Sequence, residues 1–132
     1  MIEGVIAQLK ANSGVMNLVS NRIYSEVGDD QIDFPVIVLE SDLTDNDYDY
    51  ENIVSPQGHH LNVYIVGKSY KSSLAVSNAV KKAIDNTRGQ WGDETIDGCF
   101  LETETKEVSM PGDAREYKLY LRTQTYLVWV EV

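Results

Sequence analysis

The chain has 132 residues, 42% of them hydrophobic and 24% charged, with a formal net charge of -10 and a single cysteine. That length and apolar content suit one domain with one sizeable core, spanning residues 1–132. Cys99 alone excludes an internal disulfide, and no apolar run approaches the roughly 18 residues of a membrane-crossing helix. The acidity argues against a protein that grips nucleic acid by its phosphates, which takes a basic patch.

The first residues, Met1-Ile2-Glu3-Gly4-Val5, lack the basic start and apolar stretch of a signal peptide. We therefore expect synthesis and assembly in a reducing cytoplasm. Ile2, Val5, Ile6 and Leu9 fall at i, i+3, i+4 and i+7 and predict a helix with one apolar stripe. Asn12-Ser13-Gly14 ends it, and Val15, Met16, Leu18 and Val19 allow a short second helical turn. After Ser20-Asn21 the chain reads as extended at Arg22-Ile23-Tyr24.

Phe34 to Ser41 predicts a strand. Its continuous run Val36-Ile37-Val38-Leu39 is that of a strand covered on both faces. Asp42 to Pro56 has no apolar period and reads as a long hairpin arm or loop, a kind of segment that is usually functional or disordered. His60 to Val66 is the next strand, with Leu61, Val63 and Ile65 on one side and Asn62 and Tyr64 on the other.

Ser69 is the expected N-cap of a helix running to about Arg88, with Val76, Ala79, Val80, Ala83 and Ile84 as its buried stripe. Leu74 falls on the opposite side, as a contact surface or as one exposed leucine. Arg88 to Asp97 reads as a Gly-containing loop, Gly98 to Val108 as a strand, and Met110-Pro111-Gly112-Asp113 as a turn. From Glu116 to Val130 the sequence alternates. Tyr117, Leu119, Leu121, Thr123, Thr125, Leu127 and Trp129 share one face; Lys118, Tyr120, Arg122, Gln124 and Tyr126 share the other. At ~3.4 Å per residue this strand would reach about 50 Å, so it is expected to bend or to extend beyond the body of its subunit. The order of elements predicts an α+β fold: a mostly antiparallel sheet with two main helices packed on it, and a long acidic arm between the two central strands.

Charge is segregated along the chain. Ile23 to Gly67 holds ten acids and no Lys or Arg, whereas the other 87 residues carry 11 acids and 11 bases. Lys68 to Arg88 reverses the sign, with five bases and one acid. Ordinary solubility accounts for such a pattern; so does a surface built to stand beside DNA without holding it.

Catalytic motifs are missing. There is no phosphate-binding glycine loop, no Gly-x-Ser-x-Gly and no His-Glu-x-x-His. Asp45-Asn46-Asp47-Tyr48-Asp49 begins like a calcium loop, but Tyr50 stands where the sharp turn needs Gly and Pro56 where the bidentate Glu belongs. His59 and His60, adjacent in an extended segment, point to opposite faces and do not chelate one ion easily. Cys99, among apolar neighbours, reads as a buried structural thiol. We expect no enzyme, no metal site and no cofactor. Tyr48 and Tyr50, interleaved with acids, are either interface anchors or cross-strand braces.

The order of these landmarks resembles the tail completion, or tail terminator, proteins of long-tailed bacteriophages and prophages. The resemblance is carried by the opening helix with Asn21-Arg22-Ile23-Tyr24, then Phe34-Pro35-Val36-Ile37-Val38 and Leu61-Asn62-Val63-Tyr64-Ile65. It continues through Leu74-Ala75-Val76 and Ala79-Val80 to the Tyr-rich strand Tyr117 to Trp129. It implies a small α+β structural subunit of the virion. Such subunits form a ring, typically a hexamer, on the head-proximal end of the tail tube. The ring stops tube growth, joins tail to head and lets DNA through its bore without specific binding. The implied partners are copies of itself, the tail tube protein and a head–tail connector protein, with no membrane and no catalytic residue. A head-side connector or adaptor subunit is the alternative of the same kind; an acidic DNA-mimic inhibitor and a small metal-dependent enzyme are alternatives of other kinds.

Two expectations about sites follow. Asp42, Asp45, Asp47, Asp49 and Glu51 would line the lumen or rim of a ring, within the ~8 Å over which charge acts in physiological salt. Lys71, Leu74, Lys81, Lys82, Tyr48 and Tyr50 would make subunit contacts, with the acidic segment of one copy on the basic helix of the next.

Overall fold

A computed structural model describes residues 1–25, 33–43, 57–109 and 118–131. Of the expected site residues, Asp45, Asp47, Tyr48, Asp49, Tyr50 and Glu51 lie outside the described residues. The elements are α1 (Ile2–Lys10), α2 (Ser13–Val19), β1 (Ile23–Tyr24), β2 (Val36–Leu43), β3 (Gln57–Gly67), α3 (Tyr70–Ile84), β4 (Thr87–Trp91), β5 (Glu94–Ser109) and β6 (Leu119–Val130). The strands form one six-stranded sheet in the order β1-β2-β3-β6-β5-β4. Only β1 and β2 run parallel; the other neighbours are antiparallel. This is the α+β architecture expected.

The helices lie on one face of the sheet. In α1, Val5 and Leu9 are fully buried while Ile2 and Ile6 pack at the edge of the core. Gly4 is buried with them, because α1 comes down on β4: a Cβ at Gly4 would stand 2.8 Å from the Trp91 carbonyl oxygen. Asn12 does more than end α1. Its side chain accepts the Val15 N–H at 3.1 Å and caps α2, whose Val15 and Val19 are buried. Ser69 caps α3 in the same way, accepting the Ser72 N–H at 3.1 Å.

Register decides which side chains meet beneath the helices. Ile37 and Leu39 of β2 stand opposite Ile65 and Val63 of β3, which stand opposite Arg122 and Gln124 of β6. With Leu61, Tyr126 and Val128 these rows form the floor of the core, and Val76, Val80, Ala83 and Ile84 of α3 form its roof. Each aliphatic side chain so buried stabilises the fold by roughly 1.5–3 kcal/mol before chain entropy is charged against it.

Three expectations need correction. The helix expected to reach Arg88 ends at Ile84, where Asp85 turns extended (ψ 135) and Asn86 takes φ 55. The Asp85 carboxylate then accepts the Leu101 N–H at 2.9 Å, and the Asn86 N–H donates to the Cys99 carbonyl at 2.7 Å. The loop expected from Arg88 to Asp97 is largely strand: β4 and β5 form a hairpin around Gly92-Asp93, with Gly92 at φ +61 as such a tight turn requires. Trp91, placed in that loop, is a core residue only 2% exposed. Finally, the cover on the second face of β2 is partial: Val36 is buried there, whereas Val38, on the same face and opposite to Ile37 and Leu39, is half-buried.

Candidate assembly surface

The face of β6 that carries its polar residues is the one that goes under α3. Arg122 and Gln124 are buried there, with Tyr126 beside them. They survive burial because they are bonded. Gln124 donates to the Ser77 carbonyl at 3.0 Å and to Glu104 at 3.1 Å, and accepts from the Tyr126 hydroxyl at 2.8 Å. Arg122 donates through Nη1 to Glu104 Oε1 at 3.0 Å, and Lys81 Nζ stands 2.8 Å from Glu104 Oε2. Burial works to raise the Glu104 carboxyl, but the bonds from Lys81, Gln124 and Arg122 outweigh it and hold it below its ordinary value. Ser73 and Ser77 line the buried side of α3, their hydroxyls donating to the Tyr70 and Leu74 carbonyls, and their small size lets the helix sit close over this network.

The network opens onto the surface at one end. Tyr70, Ser73, Lys106, Val108, Tyr120 and Arg122 line a cleft of about 200 Å³ between the start of α3 and the β5–β6 hairpin. Glu107 and Leu121 also border it, but face each other on the opposite side of the ladder from the Lys106–Arg122 pair. Lys106 and Arg122 flank the Tyr70 ring at 5.7 and 5.2 Å from its centroid. Tyr70 is 48% and Val108 52% exposed, large apolar surface left in water. Arg122 is 7% exposed, and its Nε–H is buried with no hydrogen-bond partner among the described residues.

The expected contact residues on α3 divide into two sets. Lys71 and Lys82 are exposed, on a stripe with Ala75 and Asn78 that faces away from the core. Leu74 and Lys81 lie half-buried on the flank that begins with Tyr70, turned toward β5. Lys81 is committed to Glu104 of its own chain. Asp42 pairs through the backbone with His60 at the end of β2. Sequence reasoning missed Tyr70, Glu104, Lys106 and Gln124 as site residues. A polar face on an alternating strand ordinarily reads as the wet face, and nothing local marks the helix that covers it.

The other face of the sheet carries His60, Asn62 and Tyr64 of β3, Leu121, Thr123, Thr125, Leu127 and Trp129 of β6, and Phe100 of β5. Phe100 lies over Gly98, its ring 2.7 Å from where a Cβ would stand, and both Phe100 and Trp129 are exposed. His60 Nε2 reaches across β6 to Glu102 Oε1 at 2.9 Å. His59 points to the opposite face, as expected; burial, then the nearby N-terminal amino group, lower its pKa. Cys99 is fully buried, and burial pushes its thiol up to about 12. Among the described residues no three His, Cys, Asp or Glu side chains converge as a metal-ligand group.

Among the described residues, one face of the sheet is roofed by helices and the other exposes the large apolar side chains Phe100 and Trp129. The fold has a counterpart of known structure. A chain from the virion of a native gene transfer agent (GTA) particle matches it with a TM-score of 0.74, over 97% of this chain and 92% of that one, at 15% identity. The fold is shared across nearly the full length of both. No protein-family model matches the sequence, and no curated protein matches it.

Proposed function

We propose that this protein is a structural subunit of a phage-type virion, forming a ring on the head-proximal end of a tail tube. The ring ends tube growth, joins the tail to the head, and leaves a bore for DNA. The observation that carries this reading is the near full-length likeness of fold to a chain of the gene transfer agent virion. The order of sequence landmarks shared with tail terminators supports it, and so does the apolar face bearing Phe100, Leu127 and Trp129, which no described helix covers and which suits burial between subunits. The ten acids between Ile23 and Gly67 suit a conduit, because a wall that repels phosphate does not trap a moving duplex. In this reading Asp42, Asp45, Asp47, Asp49 and Glu51 face the lumen or its rim, and Lys71 and Lys82 lie at subunit contacts.

Negative-stain microscopy of the purified protein, alone and mixed with tail tubes, tests the proposal. Rings seated on one end of the tubes, with tubes that no longer lengthen, are the expected result. Attachment to isolated heads and not to tubes would move the protein to the head side of the joint. No ring under either condition would overturn the proposal.

A further inference from the structure

We propose that the sheet face turned away from the helices is a seat for the outer side of α3 from a second copy of this chain. Lys71 and Lys82 of the helix meet Glu102 and Glu107 of the strand. This rests on the ring reading above and names what those two lysines touch.

The two surfaces carry opposite charge. Lys71, Ala75, Asn78 and Lys82 are exposed and recur at i, i+4, i+7 and i+11, one straight stripe on the side of α3 away from the core. The stripe has a lysine at each end, small side chains between them, and no acid. On the far side of the sheet, β2, β3, β5 and β6 present the exposed acids Glu40, Glu102 and Glu107 and, among the described residues, no Lys or Arg. Glu102 belongs to this face because the register shift between Leu101 and Thr103 turns it there. His60 Nε2 holds its Oε1 at 2.9 Å, and the side chain stays 43% exposed.

Spacing matches as well as sign. Lys71 and Lys82 are eleven helical residues apart, about 16–17 Å. Glu102 and Glu107 are five residues apart on a bulged strand, about 15–17 Å. Between the two acids the face is floored by Thr103 and Thr105, opposite Thr125 and Thr123. These short side chains let Ala75 and Asn78 come down close, and their hydroxyls give the Asn78 amide partners. Beside Glu102 the exposed rings of Phe100 and Trp129 give the seat an apolar end. Exposed ion pairs are individually weak, so it is the paired charges and the covered rings together that set the contact.

A copy cannot make this contact with itself. The helices pack on one face of the sheet and the stripe points away from it, whereas the acids stand on the other face. Seat and stripe on opposite sides of one subunit make a heterologous contact, the kind that closes into rings when the rotation permits.

Carbodiimide coupling joins a lysine ammonium directly to a carboxylate it touches. We would mix ¹⁴N- and ¹⁵N-labelled full-length protein, couple with and without tail tubes, and map the joined peptides by mass spectrometry. Lys81 and Glu104, 2.8 Å apart in one chain, are the internal control and should couple within a single isotope. The expected new product links Lys71 or Lys82 to Glu102 or Glu107 in mixed-isotope pairs. Charge reversal gives the second measurement. Lys71→Glu with Lys82→Glu should weaken self-association in sedimentation about tenfold or more, and so should Glu102→Lys with Glu107→Lys. Mixed one to one, the two variants should associate again, because each then offers the other an opposite surface. All four positions are at the surface, and circular dichroism checks that the variants fold. Coupling of Lys71 and Lys82 only to other acids, or no coupling of either in both samples, would overturn the inference, as would variants that associate alone. Rings seen by microscopy without this coupling would leave the ring reading standing and remove the contact; coupling without rings would keep the contact and remove the ring.

Discussion

At Gly4 the approach of α1 to β4 leaves no room for one more carbon. The missing Cβ would lie 2.8 Å from the Trp91 carbonyl oxygen, a backbone atom that cannot swing away as a side-chain tip can. Gly4→Ala gains up to ~1 kcal/mol in helix propensity, yet it must lift α1 off a buried tryptophan. Overpacking of this kind costs about 1–3 kcal/mol. We expect a net loss of about 1–2 kcal/mol in urea unfolding; an unchanged midpoint would show that α1 slides freely. Cys99 is the reverse case, a residue whose surroundings make it inert. With the thiol pushed up to about 12 and fully buried, almost none is thiolate near neutral pH. A disulfide reagent such as Ellman's should react with the native protein only as fast as it opens, and at the rate of a free thiol in denaturant. Fast labelling of the folded protein would contradict this burial.

At the scale of elements, α3 and β6 show what sequence patterns reveal and what they hide. The stripe Val76, Val80, Ala83 and Ile84 was legible because hydrophobic spacing of 3.6 maps directly to a buried face, and Ser69 was legible as a cap because its hydroxyl serves the backbone locally. The two faces of β6 were legible too, but not which turns inward. Leu121, Leu127 and Trp129 make the more apolar face, yet Arg122, Gln124 and Tyr126 go under the helix. That choice depends on a partner from another strand: Glu104, bonded to Lys81, Arg122 and Gln124 together. No local period announces it. Trp91 was lost for a similar reason, since Gly89 and Gly92 signal a loop while the strand that carries Trp91 is fixed by pairing with β5. Glu104→Gln tests the network. It leaves Lys81 and Arg122 without their counter-charge, Arg122 being buried, and should cost about 2–3 kcal/mol in chemical denaturation. Lys81→Met, at a position one-third exposed, should cost less, about 1 kcal/mol or under. Equal effects would mean that Arg122 does not depend on Glu104.

For the whole molecule, exposed edges and titrating groups set its behaviour in solution. Beyond Cys99 the outer edge of β5 has no paired strand among the described residues. Glu102 interrupts its register, and Glu104, Lys106 and Glu107 put charge along it. Such an edge resists open-ended strand addition. Acid response draws on both ends of the sheet. His59 has its pKa lowered in the folded state, by burial first and then by the N-terminal amino group, from an ordinary value of 6.5. The unfolded chain therefore binds that proton more readily, so stability is complete above the unfolded value and falls as pH drops from there toward the folded one. Glu104 is lowered as well, its bonds overcoming burial. Its contribution is complete above the ordinary carboxylate value of 4.5 and is lost as pH falls below that through the folded value. Stability should thus decline in two stages on acidification, the first beginning near pH 6.5 and the second below about pH 4.5. His59→Phe should flatten the first stage and leave the second, and Glu104→Gln should do the opposite. Denaturant midpoints at half-unit steps from pH 8 to pH 3, with the His59 titration followed by NMR, would read both stages. A His59 pKa at or above 6.5 would remove the first stage and with it the burial of that ring.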